Sequence, residues 1–114
     1  MSDCLFCNFA TGKIKKDFVL ETKEVMVFPD IKPLSPVHLL IVPKRHIREF
    51  SQLAELDKLD KFAWDQMMTV VLKLIKQHGL EKKGYRIVIN GGGAQAINHL
   101  HVHLIGGINK ETKL

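Results

Sequence analysis

The sequence predicts an α+β fold, with a mostly antiparallel five-stranded sheet, one long helix and one short helix. Two observations support this prediction. Several short segments have the apolar or alternating pattern of β-strands, and one long segment carries apolar residues at helical spacing. The strands and the long helix do not alternate along the chain, so a parallel sheet built from β-α-β units is not expected.

The N-terminal half is predicted to hold the short helix and the first strands. A helical turn over residues 4–11 ends at Gly12. The strands are expected at residues 18–21, 25–29 and 38–43. Residues 32–36 are predicted to form a loop, because Pro33 and Pro36 break both helical and strand patterns.

The C-terminal half is predicted to hold the long helix and the last two strands. Apolar positions recur at spacings of three and four, which is typical of an amphipathic helix over residues 53–78. These positions are Leu56, Leu59, Ala63, Met67, Val71, Leu74 and His78. Gly79 is a suitable residue to end this helix. Strands are expected at residues 85–90 and 98–105, on either side of a glycine-rich loop.

Composition indicates one soluble globular domain over residues 1–114. The chain is 46% apolar and 25% charged, which is ordinary for such a domain. It has no apolar run long enough for a transmembrane helix and no signal-peptide pattern, so a cytoplasmic protein without membrane association is expected. The net charge of +5 suits anionic ligands, but the lysines are mixed with acids along the chain. Nucleic-acid binding is therefore not expected.

Three histidines stand at every second position of the last predicted strand. On an extended strand His99, His101 and His103 would share one face, with the intervening apolar residues facing the core. A rise of about 3.3 Å per residue places neighbours about 6.6 Å apart and the outer pair about 13 Å apart. Two neighbours can flank one phosphoryl centre, whereas one metal ion cannot hold all three. Three imidazoles on one face predict a functional site.

Two other motifs carry possible chemistry. The pair Cys4 and Cys7 has C-x-x-C spacing, for which a redox pair, a disulfide and a zinc half-site compete. The zinc half-site is favoured, because no strand can precede Cys4 and a cytoplasm is reducing, but it needs two more ligands. The run Gly91-Gly92-Gly93 is either a flexible turn or, beside the histidines, a cradle whose amides bind phosphate.

The alternating histidines resemble the signature of the histidine triad (HIT) family of nucleotide hydrolases and transferases. Further segments, in the same order, resemble its Hint-like branch. They are residues 27–31, 36–46, 85–90 and Gly106-Gly107. The resemblance implies a single HIT domain over residues 1–114, whose sheet joins that of a second copy in a homodimer.

The resemblance also implies an activity on purine nucleotides of the AMP type. His101 would attack the α-phosphorus of a nucleoside 5′-phosphoramidate or acyl-nucleotide, forming a covalent nucleotidyl-histidine that water then hydrolyses. His103 would donate to a phosphate oxygen or the leaving group, and His99 completes the catalytic triad. The ring nitrogen of His101 that does not attack is expected to be held by a backbone carbonyl or another fixed acceptor.

The remaining site residues follow from the same resemblance. Asn90 and Gln95, with Gly93 and Ala96 of the same loop, are expected at the phosphate, and Asp30 at the ribose. The base pocket is expected to consist of Leu5, Phe6, Phe28 and Ile31, although the sequence alone favours core packing for Leu5, Phe28 and Ile31. A structural zinc ion is expected on Cys4, Cys7, His46 and His99. Many Hint-like proteins carry a hydroxyl where this chain has Ala96, so a hydrogen bond from such a hydroxyl to the phosphate or leaving group is not expected here.

Two other functions remain open at the level of sequence. One is a dinucleoside polyphosphate hydrolase, which needs room for a second nucleotide. The other is a zinc-stabilised nucleotide-binding or interaction module with negligible turnover. Such a module would tolerate loss of His101, whereas an enzyme would lose turnover and keep nucleotide binding.

Overall fold

The computed structural model describes residues 3–55 and 57–114 and confirms the α+β class. Its helices are α1 (Leu5–Thr11), α2 (Lys58–Gln77) and α3 (Leu80–Lys83), with a 3₁₀ turn, η1 (Phe50–Ala54), before α2. Its strands are β1 (Leu20–Glu21), β2 (Val25–Pro29), β3 (Val37–Pro43), β4 (Tyr85–Ile89) and β5 (Val102–Gly106). They form a five-stranded sheet in the order β1-β2-β3-β5-β4, in which every neighbouring pair is antiparallel.

The central strands β2 and β3 are buried on both faces of the sheet. Side chains alternate along a strand, so Val25 and Val27 face α2, while Met26 and Phe28 face α1. This two-sided burial explains why these strands are continuous apolar runs rather than alternating ones. One core therefore lies under α2 and a smaller one lies under α1, and the smaller core adjoins the histidines.

The long helix α2 begins later than the sequence predicts. Asp57 caps it, because its carboxylate accepts the backbone N–H groups of Leu59 and Asp60. Leu53, which fits the helical spacing, lies in η1 instead and packs against the core from there. Leu56 lies outside the described residues. The predicted end is confirmed, since Gly79 adopts a positive φ of 63° directly after the helix.

The last strand is also shorter than predicted. It begins at Val102 rather than at residue 98, because the Leu100 N–H donates to the Ile47 carbonyl at 2.6 Å instead of joining the sheet. His99 and His101 therefore lie on an irregular segment before the strand, and only His103 is on β5. The predicted alternation nevertheless persists, since Leu100 packs in the core under α2 together with its neighbours in β5.

A further helix, α3, was not expected from the sequence; it is a single turn that buries Leu80 completely. Among the described residues, no helix combines the length and the apolar character that are needed to cross a bilayer.

Candidate active site

Four sulfur and nitrogen atoms meet where α1, the loop after β3 and the segment before β5 converge. Cys4 Sγ and Cys7 Sγ lie 3.3 Å and 3.5 Å from His99 Nδ1. His46 Nδ1 lies 3.2 Å from both Cys7 Sγ and His99 Nδ1. The edges of a zinc tetrahedron measure about 3.3–3.8 Å when Zn–N and Zn–S bonds are about 2.0–2.3 Å. The four residues thus lie close enough to bind one metal ion, and their donor set fits zinc.

The ring of His99 is held in the tautomer that metal binding requires. Its Nε2 donates to the carbonyl of Pro43 at 2.7 Å, which leaves Nδ1 unprotonated and facing the cysteines. Burial lowers the pKa of His99 to about 4, so its imidazole stays neutral at physiological pH. The ring is also buried against Phe6 of α1, with the two centroids 5.7 Å apart.

His101 is oriented by the backbone of its neighbour in the triad. Its Nδ1 donates to the His99 carbonyl at 2.7 Å, which is the backbone contact that the sequence analysis expects. A neutral imidazole has one N–H, so Nε2 of His101 carries a lone pair. The ring packs edge-on against Phe6 at 5.3 Å between centroids. In the neutral ring, the contact at Nδ1 leaves the lone pair on Nε2, as a nucleophile requires.

His103 receives its orientation from His38 on β3, in a chain of hydrogen bonds. The Leu34 N–H donates to His38 Nδ1 at 3.0 Å, so the proton of His38 resides on Nε2. That Nε2 lies 2.9 Å from His103 Nδ1 and donates to it. The proton of His103 must then be on Nε2, which is buried and lacks a hydrogen-bond partner in the described residues. An N–H donor is therefore available at the triad for a ligand.

The electrostatic surroundings keep His103 neutral. Burial is the largest cause that lowers its pKa to about 4, and the neighbouring His101 and His38 lower it further. Asp30 acts in the opposite direction, with Oδ2 at 3.7 Å from His103 Nδ1 and 3.4 Å from His38 Nε2. Because the pKa lies well below 7, the neutral donor tautomer persists through the physiological range.

A cavity of about 390 Å³ opens between α1, β2 and the triad. Most of the predicted substrate-binding and catalytic residues line it. They are Leu5, Phe6, Phe28, Asp30, Ile31, Asn90, Ala96, His101 and His103. Its wall has an aromatic end formed with α1 and a polar end that carries the two histidines.

The glycine loop differs from the expected phosphate cradle. Gly93 and Gln95 do not line this cavity, and the Gly93 N–H donates to the Gln95 side-chain oxygen at 3.1 Å. The Gly92 N–H faces the carboxylate of Glu49, whose pKa is lowered chiefly by hydrogen bonds from the Ser51 side chain and backbone. Side chains of the protein therefore already engage these amides. Phosphate contact by Gly93 and Gln95 stays a prediction.

Several residues of the site were not predicted from the sequence. His38 had no signal in residue spacing, because its contact with His103 depends on the register in which Leu40 pairs with His103. Phe9 had a signal, since it follows Phe6 at helical spacing on α1. Lys16 had none, because it lies in an irregular segment before β1. Other cavity residues that were missed are Pro29, Leu40, Ala94 and Ile97.

Comparison with known proteins relates this chain to one family. The family model for the HIT domain matches residues 11–110 of the chain. An uncharacterized HIT-like protein of Buchnera aphidicola is 39% identical over 105 residues, covering 90% of each chain. The HitA protein of Neisseria gonorrhoeae is 37% identical over 108 residues, covering 93% of this chain and 97% of HitA.

Solved structures of similar proteins indicate the same family. A HIT family hydrolase from Legionella pneumophila is 38% identical and superposes with a TM-score of 0.81, covering 94% of this chain and 95% of its own. A histidine triad protein from Clostridium difficile is 31% identical with a TM-score of 0.82, covering 100% of this chain and 98% of its own. By sequence and by structure, the chain belongs to the HIT family.

Proposed function

We propose that this protein is a nucleotide hydrolase that releases a nucleoside monophosphate from a nucleoside 5′-phosphoramidate or an acyl-nucleotide. One observation carries the proposal: His101, whose Nδ1 donates to a backbone carbonyl, and the His103 N–H donor line the same cavity. The solved structure from Legionella pneumophila that this chain resembles is described as a hydrolase, which supports the reaction class.

The geometry supports a two-step transfer. His101 Nε2 attacks the α-phosphorus, a P–N(His) bond forms, and the bond to the leaving amine or carboxylate breaks. The His103 Nε2–H binds a non-bridging oxygen as charge develops there, or donates to the departing group. Water then attacks phosphorus, the P–N(His) bond breaks, and the nucleoside monophosphate is released. The ring centroids of His101 and His103 are 5.1 Å apart, so both can reach one phosphoryl group.

Release of AMP from adenosine 5′-phosphoramidate tests this proposal directly. We expect steady turnover by the purified protein, followed by chromatography of the nucleotide product. Binding of AMP without turnover of either a phosphoramidate or an acyl-nucleotide would instead favour a zinc-stabilised binding module. Turnover confined to dinucleoside polyphosphates would favour the second hydrolase class.

The hydrogen bond from His38 to His103 offers a separate prediction. His38→Leu should lower kcat about a hundredfold, because His103 would lose the partner that fixes its ring and tautomer. His38→Gln should recover part of this loss, since the glutamine amide can still donate toward His103 Nδ1. KM for the nucleotide should change much less than kcat. An equal loss of kcat in both variants would contradict a role through this hydrogen bond.

We further propose that the four-residue cysteine and histidine cluster holds a structural zinc ion. All four positions of the tetrahedron would be filled by protein atoms, so the ion would brace the fold rather than activate water. The His99 carbonyl accepts the hydrogen bond that orients His101. An ion bound to His99 would therefore also hold His101 in position.

A homodimer is the assembly that we propose. The edge strand β4 has exposed apolar side chains, with Tyr85 42% and Ile87 43% exposed, and Leu72 of α2 is 65% exposed. An edge strand with such side chains is suited to pairing with a second copy. Sedimentation equilibrium should give twice the chain mass of 13.0 kDa. Ile87→Lys should shift this value toward the monomer, and a monomeric wild-type protein would contradict the proposal.

A further inference from the structure

The aromatic end of the cavity contains a cation that the proposed mechanism does not use. Lys16 lines the cavity, and its ammonium lies 5.1 Å from the centroid of Phe28 and 5.5 Å from that of Phe9. Within residues 3–55 and 57–114, no carboxylate forms an ion pair with it. The side chain is half-buried, in contrast to the neighbouring Lys15, which is exposed.

A series of ring contacts leads from the nucleophile to Lys16, with two phenylalanines between them. His101 packs against Phe6 at 5.3 Å, Phe6 packs against Phe28 at 5.5 Å, and Lys16 lies over Phe28. A nucleotide whose phosphate meets His101 would therefore extend its base along these rings toward the ammonium. Among the cavity residues, Lys16 is the side chain at this end that can hydrogen-bond to a base edge.

The chemistry of an ammonium restricts which base fits. Lysine has three N–H donors and no acceptor. Guanine and hypoxanthine present two adjacent acceptors, N7 and O6, whereas adenine presents N7 beside the N6 amino donor. An ammonium can bind both acceptors of a 6-oxopurine, but it faces a like donor on adenine. The flexible stem of lysine allows its head to move from the aromatic faces to the base edge.

From this placement we infer that Lys16 selects 6-oxopurine nucleotides, those with guanine or hypoxanthine, over adenine nucleotides. The inference rests on the proposed nucleotide site and adds its base preference. Contact with both acceptors is expected to favour GMP and IMP over AMP by about tenfold in Kd, a size typical of a good lysine–guanine contact. IMP should bind like GMP, because it shares O6 and N7 and lacks only the 2-amino group.

The test compares three proteins: the wild type, Lys16→Met and Lys15→Met. Calorimetry gives Kd for GMP, IMP and AMP, and kcat/KM is measured separately for guanosine and adenosine 5′-phosphoramidates. Methionine keeps an apolar stem and removes the charge. Lys16→Met should lose about tenfold in Kd for GMP and IMP and change AMP by less than about twofold. Lys15→Met should match the wild type, since Lys15 does not line the cavity.

Measuring binding and turnover separately distinguishes the base preference set by Lys16 from the proposed hydrolysis. Equal GMP-to-AMP ratios in the wild type and in Lys16→Met would overturn the role of Lys16, and so would an equal loss for all three nucleotides. A tenfold GMP preference that depends on Lys16, with no turnover of either phosphoramidate, would support the base selection while contradicting the proposed hydrolysis. Absence of binding to all three nucleotides would overturn both.

Discussion

His101→Ala is expected to lower kcat for a nucleoside 5′-phosphoramidate by at least about a thousandfold, while the Kd for the nucleoside monophosphate stays within about threefold. The imidazole Nε2 would form the bond to phosphorus, so its loss removes the covalent route entirely. The proposed base and ribose contacts do not involve this ring. Single-turnover release of the monophosphate and calorimetric binding measure the two quantities.

Two controls make this result interpretable. Lys15→Ala changes an exposed side chain that does not line the cavity and should leave kcat unchanged. Quenching the wild-type reaction with base should trap a protein species heavier by one nucleotidyl group, and His101→Ala should give none. Turnover of His101→Ala within tenfold of the wild type would show that another group attacks phosphorus. Loss of nucleotide binding in this variant would instead indicate that His101 holds the ligand.

The sheet and the location of the site were predictable from sequence because both depend on short-range periodicity. The central strands β2 and β3 are apolar runs, and the alternation around the triad survives even where the backbone leaves the sheet. The bounds that failed depend on specific hydrogen bonds. The Asp57 carboxylate starts α2, and the Leu100 N–H is taken by the Ile47 carbonyl, which delays β5. The Asp57 cap is a residue-type signal that the spacing of apolar positions overlooks, whereas the Leu100–Ile47 contact has no sequence signature.

The site residues also divide into those predictable from residue spacing and those that depend on long-range contacts. Residues of the triad and the cysteine pair carry spacings that suggest chemistry, whereas His38 is brought into the site by a hydrogen bond to His103, its diagonal neighbour on another strand. Its role requires the register between β3 and β5. The hydrogen bonds made by the Gly92 and Gly93 amides were likewise not predictable from sequence. The side chain that accepts from Gly92 belongs to Glu49, which is distant in sequence.

Removing the metal is expected to lower the midpoint of thermal unfolding by about 10 °C or more. A ligand present at about a thousand times its Kd stabilises the native state by about 4 kcal/mol, and each kcal/mol shifts the midpoint by several degrees in a domain of this size. Zinc content by mass spectrometry should be one ion per chain before chelation. Calorimetric scans with and without a strong chelator measure the shift.

The double substitution Cys4→Ser with Cys7→Ser provides the matched control. It removes both thiolates, so its midpoint should equal that of the chelated wild type and should not fall further with chelator. The metal site would be contradicted if the wild type contained no zinc and its unfolding midpoint changed with neither chelator nor added zinc. A zinc-bound protein whose stability does not change on chelation would contradict its structural role.

Metal loss should also weaken nucleotide binding, because the cluster anchors α1. Cys4 caps this helix and Cys7 lies in its first turn, and the next residues supply the cavity wall through Leu5, Phe6 and Phe9. Phe6 packs against the rings of both His99 and His101, so a displaced α1 alters the cavity and the nucleophile together. We therefore expect the Kd for nucleotide and kcat to deteriorate in parallel as zinc is withdrawn. This distinguishes zinc loss from His101→Ala, which should change kcat alone.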